Sequence, residues 1–379
     1  MGDLRCGSEV QCTRAAYDRL VARSALLDRL VPVPDAVLRR LAVAAVVAQA
    51  GVAVTGSVVR VTGSGLGCPT WPQCFPGSLV PTPHPEVAAL HQWVEFGNRL
   101  LTFVVVLVTG LCFLAALGTR PRRPRLVRLA LVQPLGVVAQ AVIGGFTVLL
   151  GLVWWSVSVH FLVSMALVWA AVVLVSAVGS FPQPSGSPAS DAAASAEEGL
   201  RLTAASDGPS RPVVPRAVRA LVATSSVVLG ALLLAGTFVT AAGPHSGDAD
   251  TPRLAVGVPA MAQLHADLLF VYLGLLVGLG FALRAAPAPR ALHRRYGLLL
   301  AAVVAQGVLG GVQYALGVPE ALASLHVLGA ALVTVAAAAL WTGTADRGPA
   351  EHGPVDAAPT GGPPGADRNT ADLDLVERS

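Results

Sequence analysis

"QAVIGGFTVLLG", Gln140–Gly151, is an apolar stretch running into a short turn, and it returns as "QGVLGGVQYALG", Gln306–Gly317. Each copy is followed by an apolar segment with one histidine, in "SVH" ending at His160 and "SLH" ending at His326, and the glutamine precedes the histidine by 20 residues both times. Chance seldom gives that equality. The pattern extends upstream, where "GVAVT" at Gly51 is echoed by "GTFVT" at Gly236. A duplicated unit follows, and such repeats often place ligand sites on their pseudo-symmetry axis.

Composition identifies the solvent of the repeat. Of 379 residues, 54% are hydrophobic and 13% charged, with a mean hydropathy of +0.65. A helix needs about 20 mostly apolar residues to cross a bilayer. Such windows run at Leu41–Val59, Trp93–Leu117, Leu126–Leu150, Val153–Gly179, Ala217–Ala242, Ala260–Ala285, Tyr296–Leu316 and Ala321–Thr342. The expected fold is an all-α membrane protein of eight transmembrane helices, arranged as two pseudo-symmetric four-helix bundles. Residues 41–179 form the first half and 216–342 the second. A Pro-, Ser- and Ala-rich linker over 180–215 and a tail over 343–379 read as disordered cytoplasmic segments.

Every basic residue is arginine. Arginines gather before the first span (Arg5 to Arg40), between the second and third (Arg120 to Arg128) and between the sixth and seventh (Arg284 to Arg295), which puts the 1–40 segment and both termini in the cytoplasm. The net charge of +4 therefore reflects topology, and nucleic acid is not an expected partner. Asp3, Glu9, Asp18, Asp28 and Asp35 argue against a transit peptide, and the first 40 residues lack a signal-peptide core. The Ala, Gly, Val and Arg bias without lysine suggests a GC-rich bacterial genome, hence a bacterial cytoplasmic membrane.

Of eight histidines, His84, His245, His293 and His352 fall in loops or tails, whereas His91, His160, His265 and His326 fall one to each even-numbered span, near its outer end. A single intramembrane histidine is ordinarily a packing or interfacial side chain. Four at matching depth point to haem, because neutral imidazoles on facing helices ligate iron from both faces of the porphyrin. Zinc is the weaker reading, since no close-spaced His, Cys or carboxylate set occurs in the spans.

"VEFGNRLLTFVVVLVTGLCF", Val94–Phe113, places Glu95, Asn98 and Arg99 at the mouth of a span. With "TGSVVRVTGSGLGCPTWPQC" upstream, it resembles the haem A synthases, whose pattern runs T-G-x-x-V-R-x-T-G-S-G-x-x-C-x-x-W-P-x-C and then E-[FY]-x-H-R. The resemblance covers about Leu41 to Thr342. It implies an enzyme that oxidises the C8 methyl of haem O to a formyl group by successive hydroxylations, supplying haem A for cytochrome oxidase. It further implies a haem B cofactor in the second half, ligated by His265 and His326, a substrate haem in the first half facing His160, and a glutamate needed for activity at Glu95. The haem O synthase and the oxidase are partners by the same resemblance only.

One position departs from the family. Asn98 stands where the pattern has histidine, and His91 lies two turns away, about 10 Å along the axis. Pairing His91 with His265 gives an offset of 174, and pairing Asn98 with His265 gives 167, closer to the 166 of His160 and His326. Either the substrate haem rides high and uses His91, or Asn98 leaves one axial position weakly ligated. Glu95 is expected beside the reacting edge as proton acceptor or as stabiliser of a cationic intermediate, with Arg99 pairing with it or with a propionate. A structural Glu–Arg pair is the alternative. Cys68 and Cys74, in the outer loop, are joined in the family and lie where oxidation is possible, as a staple or a redox relay. Cys6, Cys12 and Cys112 are expected unbridged. Trp93, Trp154 and Trp155 read as interfacial anchors, Gly144–Gly145 and Gly310–Gly311 as close-packing positions, and Asp267 as a partner-orienting or interfacial residue. The competing functions are a cytochrome b-like or quinone-linked electron carrier, and a repeat-built transporter that leaves the histidines unexplained.

Overall fold

A computed structural model describes residues 31–120, 123–179 and 210–347. Cys6, Cys12, nearly all of the linker and most of the tail lie outside them. Among the described residues, eight helices are long and apolar enough to span a bilayer: α1 Asp35–Val61, α2 Ala89–Leu117, α3 Pro124–Leu149, α4 Trp154–Ala177, α5 Arg216–Ala242, α6 Val258–Ala285, α7 Arg290–Ala315 and α8 Glu320–Thr342. Proline sets many of the starts. Pro34, Pro215, Pro289 and Pro319 cap α1, α5, α7 and α8, and Pro124 opens α3, where a fixed φ and a missing N–H cost nothing. Helices α1 and α7 run six residues beyond their apolar windows, because Arg39, Arg40, Arg294 and Arg295 lower hydropathy without lowering helix propensity.

The chain is not wholly helical. Strands β1 (Ser210–Pro212) and β2 (Ala345–Arg347) pair antiparallel beside the start of α5 and the end of α8.

Burial repeats between the halves. Leu38, Ala42, Ala45, Gln49 and Ser57 of α1 recur as buried Val218, Val222, Ser225, Leu229 and Thr237 of α5, each 180 residues later. Val105, Thr109, Cys112 and Ala116 of α2 recur 167 later as Tyr272, Leu276, Leu279 and Leu283 of α6. For α3 to α7 and α4 to α8 the interval is 166, as in Leu126 and Leu292, or Ala171 and Ala337. The sequence match of Gly51 to Gly236 implied 185 and is corrected: burial puts Gly56 level with Gly236. Five small or apolar letters align easily in two registers one turn and a half apart, and which face is covered decides between them.

The α3–α4 and α7–α8 turns also coincide. Gly151 and Leu152 have φ of 68° and 58°, Gly317 and Val318 of 74° and 62°. Leucine and valine are costly there, by about 1–2 kcal/mol each. Leu152 is buried against Gly65 and Gly247, and the Val318 carbonyl accepts from His245 Nε2 at 2.8 Å.

The halves pack differently inside. In the first, α1, α2, α3 and α4 each pack closely on the next, and α4 returns to α1. In the second, α5 packs on α6 and α7 on α8, while α6 meets α7, and α8 meets α5, only lightly. Between the halves, α8 lies along α1 and α4. A buried polar contact, Gln49 Nε2 to Gln133 Oε1 at 3.2 Å, holds α1 to α3 in the first half, and leucines 229 and 299 occupy the corresponding places in the second.

Candidate functional site

Four equivalent seats organise the chemistry. In each, a glycine on an odd-numbered helix faces a polar side chain on the helix that follows. A Cβ built on Gly144 would lie 3.1 Å from His160 Cε1, on Gly236 3.1 Å from His265 Cε1, on Gly310 3.0 Å from His326 Cε1, and on Gly56 4.0 Å from Asn98 Nδ2. Glycine lets the three rings settle close to a neighbouring backbone, where a methyl would crowd each of them. Gly144 and Gly310 therefore seat imidazoles, a more particular task than the helix packing expected of them. Gly145 instead lies under the indole of Trp71, while Gly311 meets nothing.

The second-half seats face each other. His265 and His326 have ring centroids 6.4 Å apart, tilted by 59°, across the space where the two helix pairs separate. A metal about 2.0 Å from a nitrogen on each side would fill roughly 4 Å of that, leaving two half-rings for the rest. His265 Nδ1 lies 3.1 Å from the Leu232 carbonyl; a carbonyl only accepts, so Nδ1 carries the proton and Nε2 keeps its lone pair. Gln306 Nε2 donates to the His326 carbonyl at 2.8 Å, and Gln140 Nε2 to that of His160 at 2.9 Å. The repeated glutamine thus ties α3 to α4 and α7 to α8. His160 Nδ1 and His326 Nδ1 are buried and have no hydrogen-bond partner among the described residues. Two facing imidazoles at this separation suit a haem iron, and among the described residues no three His, Cys, Asp or Glu side chains gather to make another kind of centre.

In the first half, His160 takes the α3–α4 seat and Asn98 the α1–α2 seat, with Thr55 Oγ1 donating to Asn98 Oδ1 at 2.7 Å. His91 is not at the depth of the other three. It lies near the start of α2, its Nδ1 2.9 Å from Ser64 Oγ, at a cavity of about 320 Å³ bounded by Gly63, Gly67 and Asp248. Its α2 position is one that the seats do not use.

Glu95 and Arg99 clamp the outer loop. Glu95, 5% exposed, accepts from the Cys68 N–H at 2.7 Å through Oε2 and from Arg99 at 2.6 Å through Oε1. Arg99 also donates to the carbonyls of Cys68, Thr70 and Gln73 at 2.7, 3.0 and 3.2 Å. Cys68 and Cys74 form a disulfide, fully buried, with a Cα–Cα distance of 4.3 Å. Gly67 meets the His91 carbonyl so closely that no side chain fits there. Arg99 pairs with Glu95, one of the two partners the sequence offered it; the loop as their shared target was not foreseen. Cys112 is a buried free thiol, Asp267 accepts from Gln263 Nε2 at 2.7 Å, and Trp93 and Trp155 are exposed on their helices.

Arg60 joins the halves at this end. Its Nε donates to the His245 carbonyl at 2.7 Å and the Gly65 N–H to the Gly247 carbonyl at 2.9 Å.

Eight apolar spans with seated imidazoles at one end define a multi-pass membrane protein, two of whose helices present a facing pair of histidines. The chain belongs to the COX15-CtaA family of cytochrome oxidase assembly proteins, whose model matches residues 39–338. It is similar to the heme A synthases of Lysinibacillus sphaericus, 37% identical over 146 residues, and Shouchella clausii, 32% identical over 140 residues. These matches take in 37% and 36% of this chain and 44% of each relative. The heme A synthase of Geobacillus kaustophilus is 32% identical over 97 residues, 26% of this chain and 29% of the relative. Each match spans less than half the length of the relative.

Proposed function

We propose that this protein is a haem A synthase, oxidising the C8 methyl of haem O to a formyl group by successive hydroxylations. The observation that carries the reading is the opposed pair His265 and His326, 6.4 Å apart between separated helix pairs, in a chain of this family. His265 and His326 would hold a haem B iron, which would supply electron transfer when bound. His160 binds the iron of the substrate haem in the first half. Glu95 serves as proton acceptor beside the reacting edge, and Arg99 pairs with it while anchoring the loop. The two halves are a pseudo-symmetric duplication, a reading supported by the recurrent burial and the four seats. The lysine-free, Ala-, Gly-, Val- and Arg-rich composition supports a bacterial cytoplasmic membrane location, and the arginine-rich turns at the end opposite the disulfide loop support both termini inside. Haem O synthase and cytochrome oxidase are the proposed partners.

The test is haem extraction and chromatography from membranes of a host that makes haem O but lacks its own haem A synthase. Haem A should accumulate when the chain is expressed. Haem B alone, with the protein present, would replace this reading by that of an electron carrier.

A further inference from the structure

We infer that the substrate haem of the first half is held by a single protein ligand, His160, and that its opposite axial face, at Asn98, is open to a small exogenous ligand. The inference rests on the substrate reading above. Its basis is the comparison of four seats that share one construction.

In the second half both seats carry histidine, so an iron between them is ligated twice. In the first half the α3–α4 seat carries His160 and the α1–α2 seat carries Asn98, at the interval of 167 that relates α2 to α6. A carboxamide nitrogen has no lone pair to give, and its oxygen is a weak donor to iron beside the imidazole, thiolate, thioether and phenolate groups that ligate haem. Asn98 is moreover engaged: its Oδ1 receives the Thr55 hydroxyl at 2.7 Å. The side chain is also shorter than histidine, and its end lies 4.0 Å from where a Cβ on Gly56 would be, against about 3 Å for the three rings at their glycines.

His91 does not supply the missing ligand. It lies two turns along α2 from Asn98, about 10 Å, at the level of the outer loop, where its Nδ1 meets Ser64 Oγ, and so away from the level of the seats. Gly67 packs on its backbone carbonyl, which fixes that turn of α2 beneath the loop. An iron with one histidine and a vacant side is five-coordinate, and the polarity of the vacant side then decides what binds there. The consequence is an asymmetric protein: a six-coordinate, ligand-inert haem in one half and a ligand-accepting one in the other.

The experiment uses the purified full chain in detergent, carrying its resident haem and titrated with haem O. Carbon monoxide difference spectra are recorded on the dithionite-reduced protein and electron paramagnetic resonance on the ferric form. The expected result is a carbon monoxide complex and a high-spin ferric signal that rise with added haem O, while the resident haem gives neither. Asn98→His should abolish the carbon monoxide complex and turn the added haem low-spin, and Asn98→Ala should keep it. His160→Ala should remove the added haem and leave the resident one. A wild-type protein whose added haem is low-spin and inert to carbon monoxide would overturn the inference and leave the substrate reading standing, the more so if His91→Ala made it reactive. Failure to bind any haem beyond the resident one would overturn both.

Discussion

Glu95 has its two oxygens on two different tasks, one on the Cys68 N–H and one on Arg99. Substitution can separate them. Glu95→Gln keeps a carbonyl oxygen for the Cys68 N–H and gives up the charge, so a protein that stays folded and loses haem A production would mark the carboxylate as part of the chemistry. Full production at equal protein level would leave it only the loop. Arg99→Ala leaves a buried carboxylate without its partner, a loss of about 3–5 kcal/mol in comparable buried pairs, and should lower the melting temperature in detergent. At the second-half seat, Gly310→Ala pushes a methyl to 3.0 Å from His326. Overpacking of this sort costs about 1–3 kcal/mol, and the resident haem should show it as weakened retention through a desalting column. In the sequence, the repeated 20-residue interval singled out His160 and His326 and the position in an even-numbered span singled out His265, but the same reasoning also took in His91, which lies outside the seats. The glycines were not legible, because a glycine in a helix announces small size and leaves open which neighbour uses it.

At the scale of elements, the disulfide loop between α1 and α2 is the structure that depends most on one bond. Closing seven residues is worth about 2 kcal/mol by chain entropy. Cys68→Ser with Cys74→Ser should therefore leave the eight helices in place, by circular dichroism, and expose the Arg99 region to proteolysis first. All eight spans were legible in the sequence, since a bilayer demands a long apolar run and nothing else in the chain supplies one. The register of α1 against α5 was misread, as Gly51 and Gly236 share letters while Gly56 and Gly236 share surroundings. The opening of the second half into two pairs had no signature at all: α7 and α3 carry similar sequences, and only their neighbours differ.

The whole molecule is joined by more than its linker. Helix α8 lies along α1 and α4, Thr334 and Met165 meet across that boundary, Ser176 donates to Thr342 Oγ1 at 3.0 Å, and Arg60 and Gly65 bond the loop of the other half. Arg60→Ala would leave the His245 carbonyl without its guanidinium donor, at a cost of about 1–3 kcal/mol, and should shift the thermal unfolding of both halves together. Packing of this kind makes covalent continuity between α4 and α5 dispensable. Two polypeptides made from separate reading frames, one ending and the other starting within residues 180–209, should find each other in the membrane and copurify through a tag on either one. The protein would then be a heterodimer in all but its gene.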